Sequence, residues 1–319
     1  QKVIAEEKNK NLQQANDRIT EQKNELEIQK EELATMNTEL EAVNKKLDNS
    51  FQHITESIEA AQRIQSAILP PEEYVTKTLP DHFILYKPRD IVSGDFYWAS
   101  QNGTKLTIAV CDCTGHGVPG AFVSMLGIAF LNEITSKDPN LPPNEILNQL
   151  RTLIIKSLHQ IDSESEGKTK EGMDAALLVI DTIKRNGLPS AKSLQYAGAY
   201  NSLYLIRNGE LIETKADRMP VGVHFKQDTP FTNHQIKIEP GDIIYTYSDG
   251  YVDQLGGSKA KKFKFSRFRE LLLSNHKKPM REQKEILNTT LEKWQAHTDP
   301  ESGEDFKQID DILVLGMKF

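Results

Sequence analysis

Neither glycine nor proline occurs before Pro70 in this chain of 319 residues, whereas both are frequent afterwards. A segment free of both breakers can run as one uninterrupted helix, so the absence marks a boundary. Cysteine is scarce as well. Cys111 and Cys113 are the only two, and their spacing of two positions excludes a disulfide framework and suits a reducing, cytoplasmic setting. No run of eighteen apolar residues occurs, so no membrane span is expected from the sequence. A mean hydropathy of −0.53 and a charged content of 27% read as a water-soluble chain. Basic residues are in deficit, and the net charge of −7 argues against a nucleic-acid partner. HxxH, HExxH and paired CxxC spacings are all missing, which argues against zinc. The chain opens at Gln1 in the middle of a helical pattern, without methionine or signal peptide, and is read as part of something longer.

What is present before Pro70 is a heptad seam. Leu12, Ala15, Ile19, Leu26, Leu33, Met36, Leu40, Val43 and Leu47 recur at steps of three and four, with polar Gln22 and Gln29 filling two seam positions. One helix of this length would span about 100 Å and has no core of its own, so a partner helix is required. The expectation is a parallel homodimeric coiled coil over residues 1–58. From Val43 through Leu47 to Phe51 the seam takes two successive steps of four, a stutter that locally unwinds a left-handed supercoil. It is either a packing adjustment before the next domain or a point that transmits rotation. Residues 59–71 then read as a linker, or switch, helix and residues 72–319 as a separate domain.

Beyond Pro70-Pro71 short apolar runs alternate with turn signals. Residues 106–111, 175–183, 194–199, 203–207, 242–247 and 312–317 read as strands. Asn-Gly pairs at 102–103, 186–187 and 208–209, and Pro240-Gly241, mark tight connections that make neighbouring strands antiparallel. Helical stretches fall near 119–136, 143–160, 266–274 and 280–296. This clustering predicts an α+β fold with helices packed on antiparallel sheets.

CDCTGHGVPGA (Cys111–Ala121) follows a strand and precedes a helix, and its glycines spell G-x-G-x-x-G. A dinucleotide fold would need a closing βαβ unit, yet the helix runs into Pro139, Pro142, Pro143 and a second helix. A P-loop fails because Ala121-Phe122 stand where Lys-Ser/Thr is required. A cysteine-phosphatase loop fails for want of an arginine at the right distance. The glycines therefore read as a tight turn that brings backbone close to a ligand. What survives is Asp112 at a strand end, in company with Asp95 in SGDFYW, Asp249 in YSDG and Asp310 in IDDILVLG. Carboxylates gathered in one place repel unless cations neutralise them, and an all-oxygen set selects Mg²⁺ or Mn²⁺.

In its order and spacing the series SGDFYW, VCDCTGHG, AGAYN, GDIIYTYSDG and DDILVL resembles the metal-dependent protein phosphatases, in particular their SpoIIE/RsbU-like bacterial branch. The resemblance covers about residues 60–319, and AQRIQSAILPP (Ala61–Pro71) is similar to the linker helix that opens the catalytic domain there. It implies an αββα sandwich of two antiparallel sheets flanked by helices, holding two Mn²⁺ or Mg²⁺ ions. Asp112 would bridge the ions, Asp249, Asp310 and Asp95 would complete the set, and the carbonyl of Cys113 would be a main-chain ligand. Asp174 is a candidate for a third metal or a substrate contact, and Gly115, His116 and Asn201 for supporting roles. Ser93, Trp98 and Leu313 depart from the family pattern. The implied reaction is hydrolysis of phosphoserine or phosphothreonine on a partner protein, such as an anti-sigma-factor antagonist, under an upstream sensor that is not in this chain and that can tether it to a membrane. The basic stretch Lys259–Lys264 (KAKKFK) reads as a solvated flap or a contact to the phosphoprotein. A metal-free interaction module on the same fold and a nucleotide-binding oxidoreductase are the competing readings.

Overall fold

The computed structural model describes residues 2–160, 171–185, 188–298 and 303–319. Two compact units result, Gln1–Ser57 and Ile58–Phe319. The first is helix alone. Helix α1 (Lys2–Ile68) continues without a break past Ser57 into the second unit. Within the first unit the seam residues Leu12, Leu26, Met36, Leu47 and Phe51 are all exposed.

The second unit is a four-layer αββα sandwich. One sheet has the order β1 (Asp81–Lys87), β12 (Ile312–Lys318), β9 (Ile243–Tyr247), β6 (Leu203–Arg207) and β7 (Glu210–Thr214). The other has the order β2 (Phe96–Asn102), β3 (Lys105–Cys113), β4 (Met173–Arg185), β5 (Leu188–Ala199) and β8 (His234–Ile236). Every pairing within both sheets is antiparallel. Alternation along the strands builds three apolar layers. Ile108, Val110, Leu178, Leu205, Leu313 and Leu315 fill the space between the sheets. Ala109, Cys111, Leu177 and Ala197 face α3 (Gly117–Lys137) and α4 (Pro143–Ser157). Tyr245, Tyr247, Ile312 and Val314 face α6 (Phe265–Asn275) and α7 (Met280–Gln295). Strands covered on both faces read as continuous apolar runs, which is why the central ones stood out in the sequence.

The expected strands and helices are present, and the differences lie at edges and connections. β1, β2, β7 and β8 were not anticipated, because edge strands carry polar residues on one face and give a weaker apolar signal. The short helix α2 (Glu72–Thr78), the four-residue α5 (Gly250–Asp253) and the hairpin of β10 (Leu255–Gly256) and β11 (Lys261–Lys262) are likewise additions. The turns at Asn102-Gly103 and Asn208-Gly209 join paired strands, while Asn186-Gly187 lies outside the described residues. By length and composition α3 could cross a membrane. Val123, Ile128, Leu131 and Ile134 on it are instead buried against the sheet, so its apolar character serves the core.

Candidate functional site

Register decides where the aspartates go. On β3, Ile108 and Val110 point between the sheets, so the two-residue period puts Asp112 on that same inner face. Cys111 and Cys113 point the opposite way, into the layer beneath α3. On β4 the inner-face row Leu178, Ala176 ends at Asp174, and Asp174 is the cross-strand partner of Asp112. Asp95 immediately precedes Phe96, the partner of Cys111, so it arrives beside Asp112 from β2. The other sheet ends at the same place. Asp249 follows β9, Asp310 leads into β12, and Ser248 ties the two strands, its N–H donating to the Leu313 carbonyl at 2.9 Å and its hydroxyl accepting from Leu313 N–H at 2.9 Å. That hydroxyl also donates to Asp95 Oδ2 at 2.5 Å, linking the sheets.

The electrostatics follow from crowding. Burial pushes the Asp95 carboxyl well above the ordinary carboxylate range, the Ser248 hydrogen bond opposes this, and the charges of Asp311, Asp310 and Asp249 add to it. Asp112 is raised by burial and then by Asp95, Asp249, Asp174 and Asp310. Asp174 is raised to about 7 by burial and by Asp249. Asp249 and Asp310 are raised as well, first by burial and next by a neighbouring carboxylate, Asp310 for the one and Asp311 for the other after a backbone hydrogen bond that opposes it. None of the five forms an ion pair with a lysine or arginine among the described residues. In this arrangement no three acidic, histidine or cysteine side chains among the described residues close around a single point. The set nonetheless fits a divalent ion in charge and donor type: clustered, mutually raised carboxylates are what a cation would relieve.

The loop that delivers Asp95 is held from both ends. Asp311 accepts from Arg89 N–H through Oδ1 and from Gly94 N–H through Oδ2, each at 2.7 Å. Gln65, on α1 in the second unit, donates to the Ser93 carbonyl at 2.6 Å and to Ser124 Oγ at 2.9 Å, and accepts from Ser93 N–H at 3.1 Å. Gly94 and Gly120 close around the Gly115 carbonyl so tightly that an added Cβ would sit 2.6 Å and 2.2 Å from it. Gly115 itself has φ of 83°, which a side chain would strain. The glycine pattern is thus a packing contact that brings the turn after Asp112 against the loop carrying Asp95.

His116 and Arg89 border the cluster, and each pulls the Asp310 carboxyl down against the larger upward effects. His116 Nδ1 lies 3.1 Å from Asp90 Oδ2, and its exposed ring makes no capping bond to α3. The side chain of Arg89 is exposed and unpaired among the described residues. Asn201 is buried just past the end of β5, and its Nδ2 finds no hydrogen-bond partner among the described residues next to this end of the sheets.

Set beside known proteins, the domain has clear relatives. The model of the family described as Stage II sporulation protein E matches residues 102–319. The chain belongs to the SpoIIE family. The SiaA-PP2C domain of Pseudomonas aeruginosa is 32% identical, with a TM-score of 0.71 over 85% of this chain and 98% of that one. The phosphatase domain of SpoIIE from Bacillus subtilis is 16% identical, with a TM-score of 0.55 over 75% of this chain and 63% of that one, and shares the fold. Phosphoserine phosphatase RsbU of Bacillus subtilis is 23% identical over 210 residues, 63% of this chain. The chain spans 55% of the length of that relative. The SpoIIE/RsbU-like membership and the αββα architecture anticipated from the motifs are therefore both found.

Of the residues singled out in the sequence, Asp95, Asp112, Asp174, Asp249 and Asp310 meet at one end of the sandwich. The Cys113 carbonyl packs against Gly94, 3.2 Å from where a Cβ would stand. Gly115 and His116 border the cluster, and Asn201 lies next to it. Sequence reasoning missed Asp311, Ser248, Arg89 and Gln65. Gln65 did leave a signal, since Ile58, Ala61, Gln65 and Ile68 continue the three-four spacing and it is the polar member.

Proposed function

We propose that this chain hydrolyses phosphoserine or phosphothreonine on a partner protein in a metal-dependent manner. The observation that carries the reading is the gathering of five carboxylates, each raised and none ion-paired, from the strand ends of two facing sheets. Asp95, Asp112, Asp249, Asp310 and the Cys113 carbonyl would hold two Mn²⁺ or Mg²⁺ ions, which when bound supply Lewis acidity toward the phosphoryl oxygens and an activated water. Asp174 would hold a third ion or contact the substrate, a reading supported by its place opposite Asp112 on β4.

The chain's own groups have separable tasks. Arg89 presents a planar, permanently charged guanidinium for the phosphoryl oxygens. Asn201 Nδ2 supplies a neutral donor already desolvated at no further cost when a ligand accepts from it. Ser248 and Asp311 position Asp95 and its loop. Burial pushes both cysteine thiols well up, away from the thiolate form a nucleophile needs, so no cysteinyl intermediate is part of this reading. The exposed seam of α1 supports a parallel homodimeric coiled coil, and the Gln65 contacts give a route from that helix to Asp95. The phosphorylated partner is proposed to be an anti-sigma-factor antagonist acting in the cytoplasm, with an upstream sensor controlling the helix.

The test is hydrolysis of a phosphoserine protein with and without Mn²⁺. Asp112→Ala should abolish it, while Cys113→Ser should leave most of it. A well-folded Cys113→Ser protein without activity would overturn the assignment.

A further inference from the structure

One basic element is not used by this chemistry. Between Gln254 and Arg269 the chain carries six cationic residues and no acidic one, in a protein whose net charge is −7. The stretch forms the β10–β11 hairpin and the entry to α6. It begins one helical turn after Asp249, whose carbonyl accepts from the N–H of Val252 and of Asp253. Lys262 Nζ pairs with Asp253 at 2.6 Å, and Lys264 N–H donates to the Val252 carbonyl at 2.7 Å, so the returning strand of the hairpin is tied back to that turn.

The base of the hairpin is rigid. Gly256 and Gly257 lie flat on Trp294, with a Cβ on Gly257 only 2.6 Å from its ring atoms. Gly257 N–H donates to the Trp294 carbonyl, Trp294 Nε1 to the Gln254 carbonyl, and Phe263 N–H to that same Gln254 carbonyl. Phe263 meets Trp294 edge-on at 5.4 Å, and the Arg267 guanidinium lies over the Trp294 ring, 4.7 Å from its centroid. Lys264 is held at φ 74°, ψ 149°, a backbone region that belongs almost wholly to glycine. Ala260 at the tip also has a positive φ, of 46°. Arg267, Arg269 and Lys262 have partners within the fold. Lys259, Lys261 and Lys264 do not: all three are exposed and form no ion pair among the described residues.

We propose that this hairpin is a recognition element for acidic residues flanking the phosphorylated residue of the substrate protein. The inference rests on the phosphatase reading. A nucleic acid is disfavoured as occupant because the patch is small and sits in an acidic chain beside five carboxylates, which would repel an extended polyanion. A peptide with a few carboxylates beside one phosphoryl group matches the alternation of basic hairpin and aspartate cluster. Three lysines on an anchored scaffold lose less freedom on binding than the same lysines on a mobile loop.

The experiment compares three phosphoserine peptides, flanked by glutamate, alanine or lysine, together with p-nitrophenyl phosphate, using the full chain with Mn²⁺. The wild type should favour the glutamate peptide in kcat/KM, by about 3-fold for each lysine engaged at low salt, with the preference fading at high salt. The triple variant Lys259→Glu, Lys261→Glu, Lys264→Glu should invert the peptide preference and hydrolyse p-nitrophenyl phosphate within 2-fold of wild type. Equal rates for all three peptides in the wild type would overturn the proposal. So would a variant that weakens the glutamate and alanine peptides alike. Fluorescence anisotropy with a glutamate peptide bearing unphosphorylated serine reads the hairpin independently of catalysis. Binding that the triple variant loses supports the hairpin even if no phosphatase activity were found, whereas tighter binding of a single-stranded RNA of equal charge would reassign the surface and sink the peptide proposal.

Discussion

Replacing Gln65 by methionine keeps the length and bulk of the side chain but removes every hydrogen bond it makes. Its amide satisfies both backbone groups of Ser93, a residue with no exposed surface, and reaches Ser124 as well. With methionine the Ser93 N–H is left without a partner, and its carbonyl keeps only the longer Ser124 hydroxyl contact at 3.4 Å. A buried backbone group left unmade costs about 1–3 kcal/mol, so the full substitution should cost about 2–4 kcal/mol. For a domain of this size that lowers Tm by roughly 5–12 °C. The strain is local: Ser93 is two residues from Asp95, and Gly94 between them is gripped by Asp311. Loss of one grip should loosen the Asp95 loop and raise the Mn²⁺ concentration for half-maximal activity about 10-fold, with smaller change at saturating metal. Thermal melts and Mn²⁺ titrations of p-nitrophenyl phosphate hydrolysis measure both. A Tm within 1 °C of wild type, or a fallen Tm with unchanged metal dependence, would refute the coupling between α1 and the Asp95 loop.

The pH dependence has a definite sign. The Asp174 carboxyl is raised to about 7, so between about 4 and 7 the folded chain holds a proton that the unfolded chain releases. Its stabilising contribution is complete below the unfolded value and is lost as pH climbs through 7. Metal-free protein should therefore lose Tm from pH 5 to 8 while the stabilisation by added Mn²⁺ grows, and Asp174→Asn should flatten the metal-free slope; a metal-free Tm that climbs over that range contradicts the site electrostatics. Arg89→Ala should raise KM for a phosphoserine peptide about 10-fold with little effect on Tm, because its side chain is exposed and only its backbone N–H is structural; equal loss in Arg89→Lys would show that fork geometry, not charge alone, is used. Deleting residues 1–50 should convert a dimer to a monomer by light scattering, and a monomer both with and without the segment would exclude the coiled coil.

Asp112, Asp249 and Asp310 were legible because each abuts a run of residues buried on both faces, and a carboxylate at the end of such a run is conspicuous. Asp95 was legible by its motif alone, since β2 is an edge strand with a mixed pattern. The role of Asp311 was hidden by its neighbour. Two consecutive aspartates look equivalent in a sequence, yet Asp311 spends its carboxylate on the backbone N–H groups of Arg89 and Gly94, while Asp310, one residue further from the strand, adds its charge to Asp95 and Asp112. Arg89 belongs to a turn without periodicity and gave no signal.

Local patterning by itself determined the long helix, the strand–helix clusters and the residue types that meet a hard cation, because burial periodicity and turn chemistry act over a few residues. Which carboxylates share a space, which cysteines turn away from it and which glutamine grips the Asp95 loop were decided only by the tertiary structure. Those outcomes depend on strand register and on the facing of two sheets, where one residue of slip would point Asp112 beneath α3 and Cys113 into the site.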